Sequence, residues 1–203
     1  MIKINKLLKI FLILATFGTQ SFALRQNEIE PVMHSKIEKV LTVLRKKESN
    51  TIRGQEIIRT MDPVFDYSLM SKLALSSKTW DSITPTQQKE FRKLFITRLK
   101  QSYLDKLDLY NNQKVIYKGV KPYQKGRLQL QTEVVGKDET YKINYNFHNS
   151  KNSGDWLIYD VELAGVSIIQ TYRQQFAGLL KEKSFDEVLT QLRENQPLKA
   201  KKS

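Results

Sequence analysis

The chain has 203 residues, of which 40% are hydrophobic and 27% are charged, and its formal net charge is +13. This length and balance predict one sizeable folded domain or two small sub-domains, and they exclude a wholly disordered protein. The absence of cysteine excludes disulfide bonds, thiol chemistry and the acylated cysteine of a lipoprotein.

The first 23 residues have the features of a secretory signal peptide. Lysines precede an apolar run over residues 10–15, and Ser21 and Ala23 are small residues suited to a cleavage site. The run is too short for a membrane-spanning helix, which needs about 18 apolar residues. We therefore expect cleavage after Ala23 and export of a soluble protein, most simply to a bacterial periplasm. Without the three leader lysines the chain keeps 31 basic and 21 acidic residues, a charge of +10 that favours anionic partners without identifying them.

Hydrophobic residues at helical spacing predict helices in the first half of the mature chain. The first helix covers residues 28–47 and is followed by a break at residues 50–54. A short helical piece over residues 55–60 stops before Pro63, and Asp66 caps the next helix.

A long helix is predicted to start at Thr84. A capping threonine, a proline at the first helical position and Gln87 three residues after the cap form a strong start signal. One face of this helix stays apolar to about Tyr110, after which Asn111 and Asn112 end it.

Apolar and polar residues then alternate, which is the pattern of β-strands with one exposed face. Alternating runs lie at about residues 115–117, 128–134 and 141–147, and a fourth run at 156–163 is apolar on both faces. Turn residues separate these runs, so we expect an antiparallel meander of about four strands whose buried face is covered by helices. The sequence predicts a single α+β domain over residues 24–193 and a basic, flexible tail over residues 194–203.

Gly165, Val166 and Ser167 lead from the last strand into a helix, which raises two interpretations of Ser167. A hydrolase nucleophile in this position needs glycine two residues later, and Ile169 stands there. A capping box needs a glutamine or glutamate three residues after the serine, and Gln170 meets that need. We interpret Ser167 as the cap of a helix, and Ser184 repeats the device for a last short helix.

Few residues are suited to catalysis. The two histidines, His34 and His148, are expected at the surface, and no set of side chains has metal-ligand spacing. Turn and cap roles explain Asp62 and Asp66 better than a catalytic pair does. We expect no enzymatic activity, no metal and no cofactor. A hydrolase or another binding protein for small hydrophobic ligands is the alternative, and the export signal opposes a nucleic-acid binder.

Aromatic and aliphatic side chains are concentrated where the helices should cover the sheet. They are Tyr117, Ile143, Tyr145 and Phe147 on strands and Phe91, Phe95, Leu99, Tyr103, Tyr172 and Phe176 on helices. Periodicity alone favours an ordinary packed core. It leaves open a cavity between sheet and helices that suits a long apolar ligand.

Three segments carry a resemblance to a known family. They are FDYSLM at residues 65–70, WLIYDV at 156–161 and GVSIIQTYRQQF at 165–176, within a likeness that covers residues 28–192. The chain resembles the Mla-type (MlaC) family of periplasmic phospholipid-binding proteins, also called the toluene-tolerance auxiliary family of an ABC transporter. Ser76 and Thr171 depart from the family's pattern, which tends to glycine and asparagine at these positions.

The resemblance implies an α+β fold with a strongly curved sheet and an internal apolar pocket for the acyl chains of a phospholipid. It implies a monomer that shuttles lipid between outer-membrane and inner-membrane complexes, including an ABC transporter and a lipoprotein, and so maintains outer-membrane lipid asymmetry. The headgroup would stay exposed. The residues expected to line the pocket are Phe95, Leu99, Tyr103, Tyr117, Leu130, Ile143, Tyr145, Phe147, Val166, Ile169, Tyr172 and Phe176.

Overall fold

The computed structural model describes residues 24–104, 107, 110, 112–137, 139–151 and 153–198, apart from the side chain of Tyr103. The predicted leader lies outside these residues. The helices are α1 Ile29–Leu44, α2 Asn50–Met61, α3 Tyr67–Leu75, α4 Ser77–Ser82, α5 Pro85–Leu104, α6 Ile168–Leu179 and α7 Phe185–Arg193. The strands are β1 Lys114–Pro122, β2 Arg127–Val135, β3 Thr140–Asn149, β4 Trp156–Leu163 and β5 Val166–Ser167.

The strands form one open antiparallel sheet in chain order. This confirms the predicted α+β fold and meander, with five strands in the described residues rather than four. The fifth strand has only two residues, which is too short for an alternating pattern to reveal. The pairing shifts between Tyr117 and Val120 and again between Asn146 and Phe147, and such irregularities bend and twist strands.

The predicted helix starts are confirmed by their capping contacts. The Asp66 carboxylate accepts a hydrogen bond from the Leu69 amide at 2.9 Å, which starts α3. Thr84 and Gln87 exchange side-chain to backbone hydrogen bonds at the start of α5, and Ser184 and Glu187 do the same for α7.

The predicted break near Gly54 is wrong. Ser49 caps α2 through the Ile52 amide, so Asn50 and Thr51 form the first turn of the helix. Gly54 is buried inside α2, where an added Cβ would come within 2.5 Å of Leu104 Cδ2. The glycine therefore serves close packing between α2 and the end of α5.

A further helix, α4, follows α3 directly and was not predicted. Ser76 separates the two helices with φ 73° and ψ 153°, and its side chain accepts a hydrogen bond from the Thr79 amide at the start of α4. This backbone region is occupied almost exclusively by glycine. This geometry agrees with the glycine that the resemblance implies at this position.

The end of the long helix and the start of the tail both differ from the prediction. Tyr110 is not helical, and α5 ends at Leu104. The start of the predicted tail is packed against the domain, because Gln191 donates a hydrogen bond to the Pro197 carbonyl at 2.5 Å and Leu198 is buried. The rest of that tail, residues 199–203, lies outside the described residues.

The buried apolar residues form two clusters. The helical cluster consists of Met70, Ala74, Leu75, Trp80, Phe91, Phe95, Leu99, Ile169, Phe176, Leu179, Val188, Leu189, Leu192 and Leu198. The sheet cluster consists of Leu24, Ile29, Met33, Ile37, Leu41, Val64, Leu128, Leu130, Phe147, Ile158 and Val161. Phe65 and Ile168 pack against both clusters and mark the seam between them. No helix among the described residues is long and apolar enough to span a bilayer.

Candidate functional site

The residues predicted to line a pocket are divided between the two clusters. Phe95, Leu99, Ile169 and Phe176 are buried in the helical cluster, and Tyr172 packs against it. Leu130 and Phe147 are buried in the sheet cluster, with Tyr117, Ile143 and Tyr145 half-buried beside them. Val166 is exposed, and Tyr103 lies on α5 with its side chain outside the description.

The helical cluster is filled by interlocking aromatic rings. Phe91 and Phe176 meet edge to face with ring centroids 5.1 Å apart, and Phe95 and Tyr172 meet in the same way at 5.1 Å. Phe91 and Phe95 stack at 5.7 Å. Offset and edge-to-face arrangements are the favourable ones for aromatic pairs, so this half of the interior has the packing of a structural core.

The inner face of the sheet becomes more exposed along β3 and β4, whereas β2 stays buried. We define three cross-strand rows from the pairing register: a closed row of Leu128, Phe147 and Ile158, a middle row of Leu130, Tyr145 and Val161, and a mouth row of Thr132, Ile143 and Leu163. Phe147 and Ile158 in the closed row are fully buried. Tyr145 in the middle row is partly accessible, and Leu163 in the mouth row is 41% exposed.

Leu163 of the mouth row lines a cleft of about 590 Å³, a volume in the range of small-molecule pockets. Ile168 lines this cleft as well, so the cleft opens at the seam between the two clusters. Val166, at 61% exposure, gives the rim an apolar character. The walls come from α5 (Arg98, Ser102), the β4–β5 turn (Leu163, Ala164, Val166), α6 (Ile168, Thr171, Tyr172, Gln175) and the C-terminal segment (Pro197, Leu198).

The turn between β4 and β5 gives the rim a fixed shape. Ala164 and Gly165 both have positive φ, 50° and 82°, as in the tight two-residue turns that join antiparallel strands. The Ala164 amide also donates to the Lys142 carbonyl at 2.8 Å. Leu163 and Val166 are thereby held as a facing pair beside the cleft.

Ser167 is a helix cap, as predicted. Its hydroxyl oxygen accepts a hydrogen bond from the Gln170 amide at 3.0 Å and donates to Asp160 at 2.6 Å. Asp160 also accepts the Ile169 amide at 3.1 Å, and burial raises the pKa of this carboxyl group. These contacts anchor the start of α6 to the sheet.

The two histidines have structural surroundings away from Ser167. His148 Nε2 lies 2.9 Å from an Asp66 oxygen, and hydrogen bonding to His148 lowers the pKa of Asp66. His34 is exposed and its ring centroid lies 4.4 Å from that of Tyr117. The described residues contain no cluster of three or more histidine, cysteine or acidic side chains able to hold a metal ion.

Sequence reasoning did not find Leu163, Arg98 or the Pro197–Leu198 segment as parts of the site. Leu163 was placed in a strand that appeared apolar on both faces, so only the register with Ile143 reveals its position at the mouth. Arg98 is held at the rim by a hydrogen bond to the Asn195 carbonyl at 3.1 Å. That contact joins residues 97 positions apart and leaves no local sequence signal.

Comparison with known proteins identifies relatives for most of the chain. The family model described as MlaC protein matches residues 34–194. Toluene tolerance protein ttg2D of Pseudomonas putida is 29% identical over 129 residues, which cover 63% of this chain and 59% of that protein, less than two thirds of its length. The intermembrane phospholipid transport system binding protein MlaC of Haemophilus influenzae is 21% identical over 196 residues, covering 92% and 91% of the two chains.

A solved structure shares the fold. The phospholipid-binding protein from Ralstonia solanacearum, determined in complex with a phospholipid, superposes with a TM-score of 0.69 at 22% sequence identity. The match covers 81% of this chain and 94% of that one.

Proposed function

This chain belongs to the MlaC family, and we propose that it is a periplasmic phospholipid carrier. In this proposal the acyl chains lie between the inner face of the sheet and the helices, and the headgroup stays at the cleft in contact with water. The names of the relatives, which include a phospholipid transport binding protein and a toluene tolerance protein, support a role in phospholipid transport.

The observation that carries the proposal is the graded burial of the inner sheet face. The closed row at Phe147 and the exposed Leu163 mark the two ends of a largely apolar surface that is reachable from the Leu163 end. Burying apolar surface gains about 25 cal/mol per Å², or about 0.8 kcal/mol for each methylene group. A ligand with long acyl chains can therefore bind tightly there without specific contacts to its headgroup.

The proposal extends to a transport cycle. After removal of residues 1–23 the carrier would take lipid from one membrane complex and deliver it to another, an outer-membrane lipoprotein complex and an inner-membrane ABC transporter complex, thereby maintaining outer-membrane asymmetry. The net charge of +10 on the mature chain supports weak, reversible docking to acidic partner surfaces.

The test is native mass spectrometry of protein purified without detergent from a periplasmic extract. We expect a chain that begins at Leu24 and carries stoichiometric phospholipid. Extraction of the lipid followed by incubation with phospholipid vesicles should restore the loaded form. A protein that is free of lipid as isolated and takes none from vesicles would contradict the carrier proposal, and a chain that still begins at Met1 would contradict the predicted leader.

A further inference from the structure

Three hydroxyl groups face the interior from neighbouring rows of the sheet, and two of them are already used. Thr132 donates to the carbonyl of its cross-strand partner Ile143 at 2.7 Å. Tyr117 donates to the Glu38 carboxylate at 3.3 Å. The hydroxyl of Tyr145 has no hydrogen-bond partner among the residues that the structure describes.

Tyr145 stands at a defined depth below the cleft. It pairs with Leu130 and Val161 in the middle row, two residues along β3 from Ile143 in the mouth row. Since an antiparallel strand rises about 3.4 Å per residue, the middle row lies about 7 Å deeper than the mouth row. The closed row at Phe147 follows at the same interval, so Tyr145 occupies the last level before the interior is sealed.

Tyr145 is half-buried, and its hydroxyl is not one of the sealed, unpaired polar atoms of the described residues, so a ligand can reach it. A ligand acceptor that replaces water at this hydroxyl, in apolar surroundings, gains a hydrogen bond with little competition from other polar groups. Burial raises the pKa of Tyr145 to about 12, so the phenol keeps its proton at any physiological pH. Tyr145 also lies near enough to Tyr117 to oppose its ionisation. The two phenols therefore belong to one polar patch on an otherwise apolar wall.

This inference rests on the proposed function, because the orientation of the bound lipid determines which of its acceptor groups lies at the depth of Tyr145. A phospholipid with its chains inside and its phosphate at the cleft places its ester carbonyl oxygens between the two. We infer that the Tyr145 hydroxyl donates a hydrogen bond to an ester carbonyl of the bound lipid. Tyr145 is then a residue that favours diacyl lipids and sets how deeply the glycerol backbone enters.

The test compares two lipids that differ only at the carbonyl groups. Delipidated wild-type protein and Tyr145→Phe are each offered an equimolar mixture of dipalmitoyl phosphatidylglycerol and its dihexadecyl ether analogue, and native mass spectrometry reports the ratio of bound ester to bound ether lipid. Loss of one hydrogen bond should lower that ratio about two- to tenfold in Tyr145→Phe. Because the variant and the wild type see the same mixture, general differences in hydrophobicity between the lipids cancel.

Tyr123→Phe is the matched control. It removes the same atom from a tyrosine whose hydroxyl donates to Glu162 at 3.1 Å, on the side of β4 opposite to Val161 and Leu163. Its ester-to-ether ratio should equal that of the wild type. If Tyr145→Phe fails to fold, Tyr145→Met fills a similar volume without a hydroxyl and serves in its place.

The outcomes separate this inference from the proposed function. Equal ratios in wild type and Tyr145→Phe, or an equal loss of affinity for both lipids, would overturn the role of the hydroxyl while leaving a lipid carrier. A wild-type protein that binds neither lipid would overturn the carrier proposal itself. A ratio that falls in Tyr123→Phe as much as in Tyr145→Phe would also count against the assignment.

Discussion

The helical cluster and the sheet cluster both consist of aromatic and aliphatic side chains, but the surroundings of the two clusters differ in how completely they are buried. In the helical cluster Phe91, Phe95 and Phe176 are fully buried and their rings interlock. Beside the sheet cluster, exposure rises along β4 from Ile158 at 0% through Val161 at 7% to Leu163 at 41%. The sealed half has the packing of a structural core, whereas the graded half is where we propose that the lipid binds. Mutations in the two halves should therefore have different consequences.

The largest effect is expected in the sealed half. Phe176→Ala removes a ring that contacts Phe91, Phe95 and Tyr172, and truncation of a buried Phe costs about 3–5 kcal/mol. Urea denaturation of delipidated protein should show this loss. Ile143→Ala, in the graded half, should cost less than half as much because Ile143 is only half-buried.

Phe176 was also predicted from sequence to line the pocket, and the same experiment tests that assignment. If Phe176 is a pocket wall, delipidated Phe176→Ala should lose little stability and should bind lipid less tightly. That result would break the division between a sealed half and a graded half.

A change of intermediate size tests whether space is available in the graded half. Ile143→Trp should leave the stability of the delipidated protein within about 1 kcal/mol of wild type, because the added ring enters open volume. Ile158→Trp, in the closed row, should lose about 1–3 kcal/mol or more, as overpacked cores do. Ile143→Trp should nevertheless purify without phospholipid, which quantitative lipid analysis would detect.

Both variants must be compared without lipid, since a bound ligand raises apparent stability by mass action. Ile143→Trp that unfolds as readily as Ile158→Trp, or that still carries stoichiometric lipid, would remove Ile143 from the pocket. The carrier proposal would survive, with the pocket shifted toward the cleft residues of α6.

The smallest expected effect concerns Ser76, which follows Leu75 of the helical cluster. Ser76→Gly should raise stability by about 1 kcal/mol, since glycine relieves a strained backbone and loses only a few tenths as a helix cap. Ser49→Gly is the matched control: Ser49 caps α2 with φ −62°, so the same substitution should lower stability instead. Lipid binding should not change in either variant. Equal thermal shifts in the two proteins would show that the backbone at Ser76 is not strained.

Local signals were read correctly from the sequence because they act over a few residues. Thr84 with Gln87, Asp66, Ser167 and Ser184 identified helix starts. Alternation identified three of the long strands, and a run apolar on both faces identified the fourth. Gly54 was misread because its reason lies outside its own helix, in the approach of Leu104. A glycine that ends a helix and a glycine that admits a neighbour look the same in sequence.

The site was predicted only as a set of residue types. Helical periodicity selects Phe95 and Phe176, and strand alternation selects Ile143 and Tyr145, yet neither pattern tells whether the two sets share one cavity. The structure divides them between two clusters. The row to which Leu163 belongs depends on an irregularity opposite Asn146 and Phe147, which shifts the pairing of β4 and has no sequence signature.

The position of the cleft follows from the even number of long strands in the meander. Each antiparallel hairpin reverses the chain, so four long strands return it to the end of the sheet at which it entered. The start of β1 and the end of β4 therefore lie at the same end, three strand spacings or about 14 Å apart. Helix α5 precedes the first point and α6 follows the second, so both helices flank the mouth. A three-strand meander would have sent α6 to the closed end, and Phe147 rather than Leu163 would then face the helix that borders the opening.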